Sequence, residues 1–124
     1  MAFNIQGSRP IWVQLTDQLR QRIVTGVYPA GARFPTVREL AAEAGVNPNT
    51  MQRAMAQLET DGLVITNRTV GRTVTDREET LARMRRGMAL ARLEEYFNDL
   101  EALGFSRAEA ADMVRREGEE SNGQ

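Results

Sequence analysis

Gly45-Val46-Asn47-Pro48-Asn49-Thr50-Met51-Gln52-Arg53 puts a helix stop and a helix start within three residues of each other. Glycine adopts the left-handed backbone that ends a helix. Asparagine is a favoured N-cap because its side-chain oxygen accepts a bond from a nearby helical N–H, and proline in the first helical position gives up no bond. The helix opening at Pro48 buries Met51, Ala54, Met55 and Leu58 on one stripe, and Asp61-Gly62 closes it. Just upstream, Thr36-Val37-Arg38-Glu39 has the capping-box pattern, with Thr36 as cap and Glu39 three residues on. Leu40, Ala41 and Ala44 supply that helix's buried side as far as Gly45. Two short helices about a tight glycine turn make a helix-turn-helix.

Working outward, Pro10 starts an earlier helix in which Ile11, Leu15, Leu19 and Ile23 recur every four residues beside Val24, and Gly26 ends it. Tyr28-Pro29-Ala30-Gly31 reads as a turn, and Phe34-Pro35 leads into the capping box. After Gly62, Leu63–Thr66 reads as a strand and Thr73–Thr75 as its return, with Asn67 to Arg72 as the tip. A hairpin at that place makes the unit winged. From Asp76-Arg77-Glu78-Glu79, a further D-x-x-E cap, the pattern is helical again, with an apolar stripe of Leu81, Met84, Met88, Ala91, Leu93, Tyr96, Phe97, Leu100 and Leu103. Gly104 breaks it. Ser106-Arg107-Ala108-Glu109 caps a last helix carrying Ala110, Met113 and Val114, and the polar end, Glu117–Gln124, is expected to fray. The expected fold is mainly α with a small β-hairpin: a winged helix-turn-helix over residues 1–75, then a two-helix C-terminal dimerisation arm over residues 76–124.

The composition narrows the chemistry. The 124 residues contain no histidine and no cysteine, which removes histidine acid–base catalysis, Ser-His-Asp and Cys-His nucleophiles, thiolate metal sites and disulfides. No catalytic residue, metal ligand or cofactor is assigned, and an enzyme is the remotest function class. No apolar run approaches the ~20 residues of a membrane span, and Met1-Ala2-Phe3-Asn4-Ile5 has neither the basic start nor the apolar core of an export signal, so the cytoplasm is the expected compartment. The net charge of −1 is unevenly divided. Residues 1–75 hold eight Arg against five acidic residues, and residues 76–124 hold eight Arg against twelve. The first part, with net charge +3, suits a phosphate-facing surface; the second, at −4, does not.

In a helix-turn-helix the second helix enters the major groove and its N-terminal residues reach base edges. Subtracting the buried stripe leaves Asn49, Thr50, Gln52, Arg53, Ala56 and Gln57 facing outward. Asn and Gln can pair with adenine, and Arg with guanine or phosphate. A merely solvated helix face is the plainer reading, but the hairpin and caps around it weigh toward double-stranded DNA.

The ordered series Arg9-Pro10-Ile11-Trp12, Gln14-Leu15, Pro29-Ala30-Gly31, Phe34–Ala41, Gly45–Thr50, Arg53-Ala54 and Leu58–Val64 resembles the GntR family of bacterial regulators over roughly residues 9–75. The remainder resembles the YtrA-type branch, in which a short helical tail replaces a large effector domain and which is often linked to transporter operons. The resemblance implies DNA contacts from Arg38, from the start of the recognition helix at Asn47, Asn49 and Thr50 with Gln52 and Arg53 following, and from the wing at Gly71 and Arg72. Two positions depart from the family. Pro48 stands where many members have a base-reading arginine, and Thr69 stands where the wing often has its first glycine.

One helix from Leu81 to Leu103 would run roughly 35 Å at ~1.5 Å per residue, with little in so small a chain to cover it. A second copy is the expected cover, so Leu81, Met84, Met88, Leu93, Tyr96, Phe97, Leu100 and Leu103 are assigned to a homodimer interface. The alternative is a helix folded back on its own domain. The function expected is a sequence-specific regulator, a repressor binding a (pseudo)palindromic operator as a homodimer. The competing reading is a winged-helix module for protein–protein assembly, against which stands the lack of aromatic or aliphatic anchors on the recognition face. No small-molecule effector is assigned; converging polar groups are not legible in the tail, and any effector pocket is expected at the dimer interface.

Overall fold

The computed structural model describes residues 2–122; Met1, Gly123 and Gln124 lie outside the described residues, and with them the end of the segment expected to fray. Three helices, α1 (Ile11–Val24), α2 (Val37–Ala44) and α3 (Pro48–Thr60), precede the antiparallel strands β1 (Val64–Asn67) and β2 (Gly71–Val74). Two further helices follow, α4 (Glu78–Ala102) and α5 (Arg107–Asn122). This is the expected mainly α fold with one hairpin. The chain forms two compact units, Met1–Arg85 and Arg86–Gln124.

In the first unit the caps act as their residue types dictate. Thr36 Oγ1 accepts from the Glu39 N–H at 3.1 Å, Gly45 takes φ 69°, and Asn47 Oδ1 accepts from the Asn49 N–H at 2.7 Å. Pro10 is the cap of α1 rather than its first helical residue, a difference of one position. Leu15, Leu19 and Ile23 of α1 meet Leu40 and Ala41 of α2 and Met51, Ala54, Met55 and Leu58 of α3 in one core. Leu63, Val64 and Val74 close it from the hairpin, and Phe34 fills it with Tyr28 edge-on at 4.9 Å.

Two features of this unit escape periodicity. The segment expected as a lead-in forms a third edge on the hairpin: Phe34 N–H donates to the Arg72 carbonyl at 2.8 Å, and Val74 N–H donates to the Ala32 carbonyl at 2.9 Å. The residues before α1 are held by two glutamines one turn apart. Gln18 bonds both the N–H and the carbonyl of Asn4, at 2.8 and 2.6 Å. Gln14 does the same for Gln6, at 2.7 and 2.6 Å.

The first unit also reaches past residue 75, the expected boundary, because Leu81 and Met84 at the start of α4 pack half-buried against its core. The helix begins at Glu78, so Asp76 stands two residues before it, and Thr75 Oγ1 accepts from the Arg77 N–H at 3.2 Å in the turn that leads in. The apolar stripe of α4 is not one stripe. At 3.6 residues per turn, Leu81, Met84 and Met88 share one face, while Leu93, Tyr96, Phe97 and Leu100 centre roughly 130° away around the helix. The helix therefore has no single apolar face along its length.

In the second unit Ser106 and Glu109 form the expected capping box in both directions. The Glu109 N–H donates to Ser106 Oγ at 3.1 Å, and the Ser106 N–H donates to Glu109 Oε1 at 2.9 Å. Arg107 donates to Glu94 at 2.6 Å and lies over the Phe97 ring, 4.5 Å from its centroid. Its hydrogen bond holds the Glu94 carboxyl below the usual carboxylate range. Leu100 and Ala110 are buried, whereas Leu90, Leu93, Tyr96, Leu103 and Phe105 are exposed. The helix continues to Asn122 through the segment expected to fray, with Arg115 joined to Asp112 at 2.6 Å and to Glu119 at 3.3 Å.

Candidate nucleic-acid interface

The turn Gly45-Val46-Asn47 delivers the chain directly into α3, whose first turn contains no acidic residue. Burial of Met51, Ala54, Met55 and Leu58 orients the helix and leaves Asn49, Gln52 and Arg53 exposed and Thr50 half-buried. Asn47 is exposed, but its Oδ1 is committed to capping, so its amide nitrogen is the group left to donate outward. Arg38, in the first turn of α2, is exposed and holds no ion pair among the described residues.

The wing is set by its tip. Asn67 pairs with Gly71, leaving Arg68, Thr69 and Val70 as the loop, all exposed. Asn67 Oδ1 accepts from the Thr69 N–H at 2.9 Å, an Asx turn that needs no glycine at Thr69. Gly71 has φ 84°, and a Cβ placed there meets nothing within 4 Å. The glycine is required by backbone conformation and not by crowding within the chain.

Both flanks of α3 are braced. On the wing side, Arg72 Nε donates to Glu59 Oε1 at 2.5 Å, so the guanidinium expected to face DNA is engaged within the protein. On the α1 side, Arg20 donates to both oxygens of Asp61, at 2.8 and 3.0 Å, and Gln57 donates to the same carboxylate at 3.0 Å. The Asp61 hydrogen bonds hold the Arg20 guanidinium above its ordinary range. Nearer the start of α3, Arg53 lies over the Trp12 ring at 4.3 Å.

Sequence reasoning assigned no site role to Trp12, Glu59 or Arg68, and read Asp61 only as part of the helix stop. Arg68 could have been found as one of the two charged residues, with Arg72, in the expected hairpin tip. The residues placed in the tail interface divide: Leu81 and Met84 lie on the first unit's core, Leu100 is buried within the second, Met88 and Phe97 are half-buried, and Leu93, Tyr96 and Leu103 are exposed.

Residues 13–74 match the profile of bacterial regulatory proteins of the gntR family. The uncharacterized HTH-type transcriptional regulator YhcF of Bacillus subtilis is 31% identical over 110 residues, 89% of this chain and 91% of that protein. The HTH-type transcriptional repressor YtrA of the same organism is 33% identical over 75 residues, 60% of this chain and 58% of its own. Among solved structures, a GntR family transcriptional regulator from Listeria monocytogenes aligns with a TM-score of 0.79 and 31% identity, over 90% of this chain and 98% of that one. AraR(DBD) in complex with operator ORX1 aligns with a TM-score of 0.53 and 25% identity, over 58% of this chain and 93% of that one. This chain therefore belongs to the GntR family of bacterial regulatory proteins, which are DNA-binding transcriptional regulators and not enzymes.

Proposed function

We propose that the protein is a cytoplasmic repressor of the YtrA type that binds a (pseudo)palindromic operator as a homodimer, one copy per half-site, and controls a transporter operon. The observation that carries the DNA-reading assignment is the outward face of α3, where Asn49, Gln52 and Arg53 stand exposed with no acid in the first turn. Asn49 and Gln52 are the base readers, with Thr50 and the Asn47 amide beside them. Arg38 is a phosphate contact, and Gly71 brings the wing backbone close to the adjacent groove. Arg72 serves chiefly by holding the wing to α3 through Glu59.

The dimer is supported by Leu93 and Tyr96 in the second half of α4 and Leu103 just beyond its end, all exposed. Leu81, Met84 and Leu100 act within the protomer. Residues 1–75, with α1 in the shared core, form the DNA-binding domain, and residues 76–124 form the arm.

A mobility-shift titration with the duplex upstream of the chain's own gene, against a random duplex of equal length, tests this reading. The expected result is a retarded band on the upstream duplex at a concentration at least tenfold lower, disrupted when either half-site is scrambled. Equal affinity for both duplexes would remove sequence-specific recognition. Absence of any shift would favour the protein-assembly reading.

A further inference from the structure

Among the described residues, five arginines of the first unit are matched to carboxylates: Arg9 to Asp17, Arg20 to Asp61, Arg22 to Glu43, Arg72 to Glu59 and Arg77 to Glu79. Arg53 differs. Its guanidinium carbon lies over the indole of Trp12, 4.3 Å from the ring centroid, and it makes no ion pair among the described residues. The two arrangements have opposite electrostatic consequences. A carboxylate cancels the charge of the arginine it holds and occupies its N–H donors. An aromatic face attracts the cation through its quadrupole, leaves the full positive charge in place, and leaves the N–H donors at the rim of the guanidinium free.

The placement gives that difference a direction. Arg53 follows Gln52 and stands one turn beyond Asn49 on the exposed side of α3, while Trp12 lies in the first turn of α1, which packs against α3. The same two helices are pinned again at the far end of α3, where Arg20 meets Asp61. That contact is a neutralised pair suited to holding helices together. The Trp12 contact holds a charged donor set at the surface.

We infer that Trp12 is a positioning residue for DNA recognition: its indole face holds the Arg53 guanidinium, still charged and with its donors free, at the flank of the recognition helix, where it meets DNA without first breaking an ion pair. The inference rests on the reading of α3 as the DNA-contacting helix. A flexible arginine loses side-chain freedom on binding, and a stack formed beforehand reduces that loss.

Trp12 is the chain's single tryptophan, so its emission reports this contact without interference. In the DNA-free protein, Arg53→Met should shift the emission while leaving the thermal midpoint close to wild type. An unchanged spectrum would overturn the stack. Binding is then measured with the upstream duplex for wild type, Trp12→Leu, Trp12→Phe, Arg53→Ala and the double variant Trp12→Leu/Arg53→Ala. Trp12→Leu should weaken binding by about three- to tenfold, and Trp12→Phe, which keeps an aromatic face, by less. Trp12→Leu should cost less than about twofold once Arg53 is absent, since partners acting through one contact are not additive. An equal loss from Trp12→Leu in both backgrounds would mean that Trp12 supports the fold and does not act through Arg53, and would overturn the positioning role alone. A wild-type protein that binds neither this duplex nor a random one would instead remove the DNA assignment of α3.

Discussion

Arg72 in the returning strand of the wing and Glu59 in the last turn of the recognition helix are joined at 2.5 Å, with 29% and 34% of their side chains exposed. Each belongs to an element proposed to face DNA, and their bond ties those two elements together. Partial burial makes the pair stronger than a fully exposed one, though still on the order of 1 kcal/mol. Its main effect is on geometry.

Glu59→Gln should therefore leave the fold within about 1 kcal/mol of wild type while loosening the wing and releasing the Arg72 charge. Binding to random duplex should strengthen at low salt and show a steeper salt dependence, because one more cation is available to phosphate. Operator binding should gain less or fall, so the ratio of specific to nonspecific affinity drops. Filter-binding titrations of both duplexes across a salt series read this directly. An unchanged ratio would show that the wing keeps its place without the pair.

Arg38 and the face of α3 should separate by what each touches on the duplex, phosphate or base. Arg38→Ala removes an unpaired exposed cation and should weaken operator and random DNA alike, flattening the salt slope by about one unit. Asn49→Ala or Gln52→Ala should leave the slope unchanged and weaken the operator alone, by about 1–3 kcal/mol for each base-edge pairing removed. If neither of the latter variants alters the specificity ratio, base reading lies elsewhere on the surface.

The tail makes a separate prediction. Tyr96 is 48% exposed and shares a face of α4 with the apolar residues of the helix's second half, so a charge there should disturb assembly without entering a core. Tyr96→Glu should sediment as a monomer at micromolar concentration, with the helical signal intact and operator binding weakened far more than random binding. Leu81→Glu should instead lower the thermal midpoint, because Leu81 packs on the first unit's own core. The reverse pattern would place the interface at the start of α4.

How far the sequence could be read depended on the range of the interactions. Thr36, Gly45, Asn47, Ser106 and Glu109 act within three or four residues of themselves, and each is found where its chemistry predicts. The core stripes were nearly as plain, since 3.6-residue spacing is a local property, but Ile11, expected in the α1 stripe, sits at the helix start and is exposed. Pairing of Ala32–Phe34 with β2 joins segments some forty residues apart and left no periodic mark, with Pro35 pointing to a turn. The Gln14 and Gln18 side chains hold backbone, a role that any polar helix surface would conceal. In the candidate site, spacing shows which residues face outward but not which arginines are engaged. Arg72 and Arg53 look alike in sequence, and only the fold sets one on Glu59 and the other on Trp12. The single stripe expected along α4 failed for a countable reason: the spacing between Met88 and Leu93 shifts the apolar positions to another face.

Gly71 allows conformation and access to be told apart. Its φ of 84° disfavours any residue with a Cβ, yet a Cβ there would meet open space, so the cost of substitution lies in the backbone alone. Gly71→Ala should lose about 1–2 kcal/mol, the left-handed penalty for an L-residue. Asparagine tolerates that conformation better, so Gly71→Asn should recover most of the thermal midpoint. If the glycine also lets the wing backbone approach a groove, the asparagine side chain would stand in the way, and operator affinity should stay low although the fold is restored. The two variants are compared by thermal midpoint and by operator dissociation constant on the same preparations. Recovery of affinity along with stability in Gly71→Asn would show that the glycine serves the turn only, and that the wing meets DNA through Arg68 and its neighbours at the tip.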